Sequence, residues 1–437
     1  MSITTGTFPG VRIVDMPDLG VVNDTSSVVG ERAGSGRFNA PALKTYANNY
    51  TAPGTGGVTR STFAKLGEWV SVKDYGAVGD GTADDTAAIQ AAINYVQSLP
   101  TAGTVLVPAG RYKTTNTLTI SVQGVSLLGM GRSASIIAPV AGSAFHWLRI
   151  ESTVALSYVS IASLGFVPAG PQVEGWAGIL QVGTAAVITY DDIQLSGANI
   201  GFLVHAGDAG SVSRWTDFYI SECAKAAMWI GLPGGTEVTG FTARDGDIAQ
   251  CDLGIVLANC SGVYLSTLDI ILCRVAVIMS PGDGDFVRFV FCDMVQGDSS
   301  TADNWYFRTT GTGTISNVVC NNCWASGGNS NGVHVDTSVN LDGFTWANGH
   351  VLNNYAHGML LDSGTNLAVT GTQVCKPAGR FRGRHRDRPW RLRVSHHRQY
   401  LRHGWVESSG GRPQPPAVRD LGQRRRERSL RRHGECL

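Results

Sequence analysis

The chain has 437 residues, 55 of them glycine, with 43% apolar and 16% charged residues. No stretch offers the ~20 unbroken apolar residues of a membrane helix, and residues 1–11 lack the basic and apolar regions of a secretory signal. Membrane insertion and export by the classical route are therefore not expected. The net charge of +1 conceals two opposite segments: from Arg380 onward 17 Arg stand against 5 acids, while 1–379 carries 18 basic and 29 acidic residues. The body is too acidic to bind nucleic acid, and position 380 reads as a boundary.

Residues 1–65 are rich in Gly, Thr, Ser and Asn, too sparse in apolar side chains for a core of their own, and read as an attachment or assembly segment. At Val70 the text changes. Val70-Ser71-Val72 reads as a strand, 74–84 as a turn-rich loop, and 85–99 as a helix. Its Ile89, Ala92, Ile93 and Val96 fall on one face, Asp84 or Asp85 can cap it, and Pro100 stops it. Strands follow at 104–107 and 111–120.

From about residue 150 the chain repeats. The pairs Ile193/Leu195, Phe218/Ile220, Gly246/Ile248, Leu268/Ile270, Val287/Phe289 and Val318/Cys320 align, each followed three residues later by Ala198, Cys223, Cys251, Cys273, Cys292 or Cys323. The offsets between successive markers are 25, 28, 22, 19 and 31 residues. Short strands repeating at this period, joined by Gly, Asn and Ser turns, describe the rungs of a parallel β-helix. The cysteines are then expected reduced, stacked inside as small apolar side chains. Cys320-Asn-Asn-Cys323 has metal or redox spacing but no second pair and no neighbouring His.

The run Val70-Ser-Val-Lys-Asp-Tyr-Gly-Ala-Val-Gly-Asp-Gly-Thr-Ala-Asp-Asp-Thr-Ala-Ala-Ile-Gln-Ala-Ala-Ile-Asn94 resembles the entry motif of the pectate-lyase superfamily, in its rhamnogalacturonase/epimerase-like branch, which includes many phage tailspikes. Val107-Pro-Ala-Gly-Arg-Tyr112 and Leu128-Gly-Met-Gly131 are similar too. The resemblance implies an all-β fold, a right-handed single-stranded parallel β-helix over 66–379 whose N-terminal end is plugged by the capping helix. It also implies that Asp74, Asp80 and Asp84 shape the entry loop. By the same resemblance the partner is a polysaccharide, the assembly a homotrimer and the location a phage tail or prophage product.

Chemistry is sought on the outward columns, where rungs lie ~4.8 Å apart. The register places Asp192, Asp217, Asp245 and Thr267 in one column and Gln194, Tyr219, Asp247, Asp269 and Arg288 in the next. Asp217, Asp245, Asp247, Asp269 and Arg288 thus converge as the candidate catalytic group. Stacked like charges cost stability, so the cluster calls for a reason. Asp245 and Asp247 suit an inverting glycosidase pair, one crowded member being held protonated as general acid. A lyase would use the carboxylates for Ca²⁺, or Arg244 or Arg288 as the base; no other cofactor is implied. An ordinary solvated outer face, with Arg288 as counter-ion, is the alternative. Polygalacturonase signatures are absent as a set, and His350 sits in a fragment of one. Trp215, Tyr219, Arg244 and Trp324 are the candidate substrate contacts, whereas Trp229 and Trp346 fall in apolar registers and are expected in the core.

Together with the resemblance, these residues lead to the expectation of a tailspike-like β-helix that recognises a bacterial surface polysaccharide, with its depolymerisation left open. A non-catalytic adhesive tail protein and a free lyase or hydrolase of pectin-like polymers are the alternatives. The tail from 380 to 437 reads as further β-helix text out of frame, and is expected to be disordered. His397-Arg-Gln-Tyr-Leu-Arg-His403 can be encoded CAC CGG CAA TAC CTT CGG CAC, a choice among synonymous codons that, shifted by one base, reads Thr-Gly-Asn-Thr-Phe-Gly. Arg431-Arg-His-Gly-Glu-Cys436, encoded CGT CGT CAC GGG GAA TGC, likewise reads Val-Val-Thr-Gly-Asn, similar to the strand-then-turn text of Ala368-Val-Thr-Gly-Thr372. A basic, phosphate-binding tail is the rival. Resequencing of the gene is expected to show an open +1 frame well past codon 437; early stops in that frame would overturn this reading.

Overall fold

The computed structural model describes residues 49–151, 156–183, 185–205 and 212–375, together with the backbone of 7–8, 11–12, 31–32 and 393–394. The chain divides into two units, 1–70 and 71–437. In the first, strands Asn49–Thr51 and Thr59–Ser61 pair antiparallel, and Ser61 caps the short helix Thr62–Leu66 by accepting a hydrogen bond from the Ala64 N–H at 2.9 Å. Its large apolar side chains face outward: Val58, Phe63, Leu66 and Trp69 are all exposed, Phe63 at 89%.

The second unit is all-β apart from its entry. Asp85 is buried and accepts from the Val78 and Gly79 N–H groups (2.6 and 3.1 Å), closing the loop. Asp80 accepts from Thr82 and Ala83, which hold its carboxyl down at about 2. Asp74 completes a capping box with Ser71, and Asp84 bonds Thr86 and Thr115. The expected helix runs Thr86–Ser98 with Ile89, Ala92, Ile93 and Val96 buried. Gln90 and Gln97 accept from the Thr119 and Ser121 N–H groups, fastening it to the edge strand Leu118–Ile120. The apolar stripe thus covers the first rung, as a cap should.

Beyond it, parallel ladders run rung upon rung among the described residues, in one sheet of 19 strands and a second of 11. The second is built of short strands stacked in register, such as Phe202, Met228, Ile255, Val277, Trp305, Val333 and Met359. Arg393–Val394 continues it by pairing with Leu360–Leu361. The rest of the arginine-rich tail, and most of residues 1–48, lie outside the described residues.

The first sheet bends at left-handed residues spaced five apart. Gly240, Asp245 and Gln250 form one such set, followed rung by rung by Gly262, Thr267 and Leu272; Phe289, Met294 and Ser299; Asn317, Asn322 and Gly327; and Gly343, Asn348 and Asn353, all with φ between +52° and +76°. Within each five-residue step the side chains run corner, in, out, in, out. An odd step resets the alternation at every corner, and this corrects the sequence reading twice. Trp215 lies before the Asp217 corner and points inward. It is fully buried, stacked on Tyr190 at 4.3 Å and packed on Phe202. The repeat register also slips after Asp269, whose partner is Gln296 rather than Arg288. From Asp269 to Gln296 to Trp324 the offsets are 27 and 28 residues, in place of 19 and 31.

The cysteines follow the corrected register. Cys223, Cys251 and Cys273 share one inner column, Cys292 and Cys320 pair in another, and all are buried free thiols, as are Cys260 and Cys323. Cys375, expected reduced with the rest, is disulfide-bonded.

Short polar Asp and Asn, and Gly, tolerate the left-handed region; β-branched residues do not. Thr267, exposed at φ +52°, is the costly member of its column. Thr267→Asn is expected to stabilise the fold by about 1 kcal/mol, read as a raised denaturation midpoint. An unchanged or lowered midpoint would show that the corner is not strained.

Candidate functional site on the outer face of the first sheet

The four predicted carboxylates do come together, in two kinds of position. Asp217 and Asp245 are corner residues (φ +48° and +55°), as is Asp192, so backbone conformation alone accounts for a short polar side chain there. The bend at Asp245 also removes the flat-strand geometry assumed for the Asp245/Asp247 pair. Asp247 and Asp269 instead lie past the corner as register partners on adjacent rungs. Their column continues outward as Tyr219, Asp247, Asp269, Gln296, Trp324 and His350.

Electrostatics separates the members further. Arg132 reaches across from the turn after Gly131, donating to Asp217 Oδ1 (3.0 Å) and its backbone carbonyl (3.1 Å), with Asp192 at 3.4 Å. Asp217 is thereby engaged in a tie between rungs. Arg244, exposed, stands before the corner with its Nε 3.4 Å from Thr216 Oγ1 and 4.0 Å from Asp245. Asp269 is half-buried, and its Oδ1 is buried without a hydrogen-bond partner. Burial first, then the charges of Asp247 and Asp298, push its carboxyl above the usual range. Asp191, one position before the Asp192 corner, is also raised by burial and by Asp217 and Asp192.

The remaining candidates are dispersed. Arg288 pairs with Ser261 and Ser316 in register, reaches Glu237 at 3.4 Å and lies over the Phe286 ring, immediately before the Phe289 corner and so a five-residue step short of the Met294 corner that leads to Gln296. It belongs to no carboxylate column. Trp215 is core. Trp324 is half-buried and tilted against His350 at 5.1 Å, and His350 in turn bonds Gln373. Trp346 is buried as expected, but Trp229 is only partly so, with Lys225 over its ring on the outer face of the second sheet. Sequence reasoning missed Arg132, Gln296 and Asp298. The five-residue spacing of Asn and Gly at 317, 322 and 327, and at 343, 348 and 353, was the signal that would have corrected the register. Among the described residues no group of three or more His, Cys, Asp or Glu side chains is arranged to hold a metal ion.

A carboxyl whose folded-state pKa is raised binds more protons folded than unfolded, so its ionisation destabilises the fold as pH rises through that range. Asp269→Asn is accordingly expected to be more stable than wild type at pH 7 by a few tenths of a kcal/mol, about the size of one relieved like-charge contact. The advantage should fade below the ordinary carboxylate pKa. Thermal melts at pH 3 and pH 7 measure it, and equal differences at both pH values would count against a raised Asp269.

Residues 69–152 match the family model described as rhamnogalacturonase A/epimerase, pectate lyase-like. The mannuronan C5-epimerase AlgE1 of Azotobacter vinelandii is 43% identical over 79 residues, covering 16% of this chain and 6% of that protein. The tail spike protein of Shigella phage Sf6 is 36% identical over 85 residues, covering 18% and 14%. The chain thus spans only a small fraction of the length of these relatives. Among solved structures, the A-module of Azotobacter vinelandii mannuronan C-5 epimerase AlgE6 superposes with a TM-score of 0.59 at 19% identity, covering 70% of this chain and 86% of that one. The enzymatically active domain of bacteriophage CBA120 tailspike protein 2 gives 0.50 at 12%, covering 77% and 47%. From its entry loop to its last described rung, the second unit is a parallel β-helix, and its opening residues, within 69–152, carry the likeness to the rhamnogalacturonase A/epimerase, pectate lyase-like family model.

Proposed function

We propose that this chain is a tailspike-like protein that binds a bacterial surface polysaccharide along the outer face of the first sheet and cleaves it at Asp247 and Asp269. The observation that carries the reading is Asp269: a half-buried carboxyl with an unpartnered oxygen, one rung from a second carboxylate, in a column flanked by Tyr219 and Trp324. Such a carboxyl stays protonated longer than a solvated one and can donate to a glycosidic oxygen as the bond breaks. Asp247, one rung away at ~4.8 Å of backbone spacing, stands near the ~5–5.5 Å of a retaining pair and would attack the anomeric carbon. Water then releases the glycosyl group, with Asp269 taking the proton back. Asp245 and Arg244 border the scissile position, and Tyr219 and Trp324 offer ring surface to flanking sugars.

The exposed Val58, Phe63, Leu66 and Trp69 support assembly through the first unit, consistent with a trimer on a virion. Binding without cleavage is the second reading. It is favoured by the corner positions of Asp217 and Asp245 and by the Arg132 tie, which give those acids structural reasons to be acidic.

Purified protein incubated with a panel of capsular and exopolysaccharides, followed for new reducing ends and unsaturated uronate absorbance, separates the readings. Reducing ends alone are expected, with Asp247→Asn and Asp269→Asn each lowering turnover by ~10² or more while the protein stays folded. Full turnover in both variants places the chemistry elsewhere. Unsaturated uronate signals elimination, and binding without either product leaves an adhesin.

A further inference from the structure

The outer face of the second sheet carries a different ionisable group, unconnected with the carboxylate column. His334 lies on the strand Val333–Val335, stacked on the Tyr306 ring of the rung below at 5.0 Å and 28°. Its Nδ1 is 2.8 Å from Asp303 Oδ2. Asp303 is buried, and its other oxygen accepts from both the backbone N–H and the side-chain amide of Asn331 (2.7 and 2.8 Å). With its amide nitrogen so used, Asn331 offers its Oδ1 to His357 Nδ1 at 2.9 Å. Tyr306 donates to Asp336 Oδ2 at 3.0 Å. Asp303 is thus a fixed acceptor, and a neutral His334 must carry its proton on Nδ1. The lone pair of Nε2, which makes no hydrogen bond among the described residues, is left for another molecule. A histidine oriented by a buried carboxylate, with its second nitrogen free, has the arrangement of a general base when neutral and of an ion pair when protonated.

We propose that His334, oriented by Asp303, is the proton-transfer centre of a second saccharide site on the second sheet, and that this site takes an uncharged, hydroxyl-rich chain. In the step it supports, Nε2 accepts a proton from a water whose oxygen bonds the anomeric carbon of the bound sugar. As the bond from that carbon to the glycosidic oxygen breaks, the imidazolium, held by Asp303, gives its proton to the departing oxygen, so both products end as hydroxyls and the protein ends unchanged. The preference for a neutral chain follows from the surroundings. Asp303, Asp336 and Asp362 all act on His334, and Arg308, the cation acting on Tyr306, already donates to Ser280 at 2.9 Å. A uronate carboxylate would meet more acids than bases there. The sugar class rests on the polysaccharide reading; the proton-transfer role rests on the dyad alone.

Long-range proton–nitrogen NMR of the full chain tests it, using dextran oligosaccharides as the neutral probe and oligogalacturonate as the anionic one. Above its titration, His334 should show the Nδ1–H tautomer, converting towards the commoner Nε2–H form in Asp303→Asn. Dextran oligosaccharides should shift the Nε2 resonance, and oligogalacturonate should leave it unmoved. An Nε2–H tautomer in the wild-type chain overturns the proposal, because the free nitrogen would then be no base. A response to oligogalacturonate alone, or to neither probe, overturns the saccharide assignment. Because the readout is a nitrogen of His334 rather than a product, a negative result here is independent of cleavage at Asp247 and Asp269.

Discussion

The geometry of the first sheet depends on a backbone state that L-residues adopt reluctantly. A left-handed residue every five positions turns each rung, and because five is odd, it also decides which side chains enter the core. The burial of Trp215, the outward setting of Asp247 and Asp269 and the split cysteine columns all follow from that step. Parallel hydrogen bonds between rungs then copy each corner to the next, so a residue such as Thr267, poorly suited to the conformation, is carried by its neighbours.

Sequence alone made the entry of the fold legible. The Ile89, Ala92, Ile93 and Val96 stripe acts locally, through a 3.6-residue period, and local rules read it correctly, whereas the loop-shaping parts of Asp80 and Asp84 came from the family resemblance. The four carboxylates were placed together because the register held from Ile193 to Ile270. It failed at Arg288 because the alignment followed alternation and a small residue at +3. Val287 and Phe289 imitate an inner pair, yet Phe289 is itself a corner, exposed, with φ +55°. Trp215 was misplaced for the same reason, a period of two carried through a step of five. Arg132 was out of reach altogether, since its contact with Asp217 spans 85 residues of sequence.

The two outer faces handle charge by opposite means. On the first sheet Asp269 is crowded by other acids and leaves an oxygen unsatisfied, a standing cost that structure alone does not repay. On the second, each oxygen of the Asp303 carboxylate has a donor, and the resulting order is passed to His334 and, through Asn331, to His357. Frustration marks the first site and organisation the second.

Between its outer corners a rung of the first sheet spans ten residues, from Gly240 to Gln250, Gly262 to Leu272, Phe289 to Ser299, Asn317 to Gly327 and Gly343 to Asn353. The return from the last corner to the first corner of the next rung is not fixed: 12 residues from Gln250 to Gly262, but 18 from Ser299 to Asn317. Insertions and deletions can therefore accumulate in the return, around the second sheet, without disturbing the ladder, while a single-residue indel inside the ten would turn a rung inside out. Lineages of such a protein should diversify by lengthening and shortening those returns, with the cornered half of each rung conserved in length as a chassis.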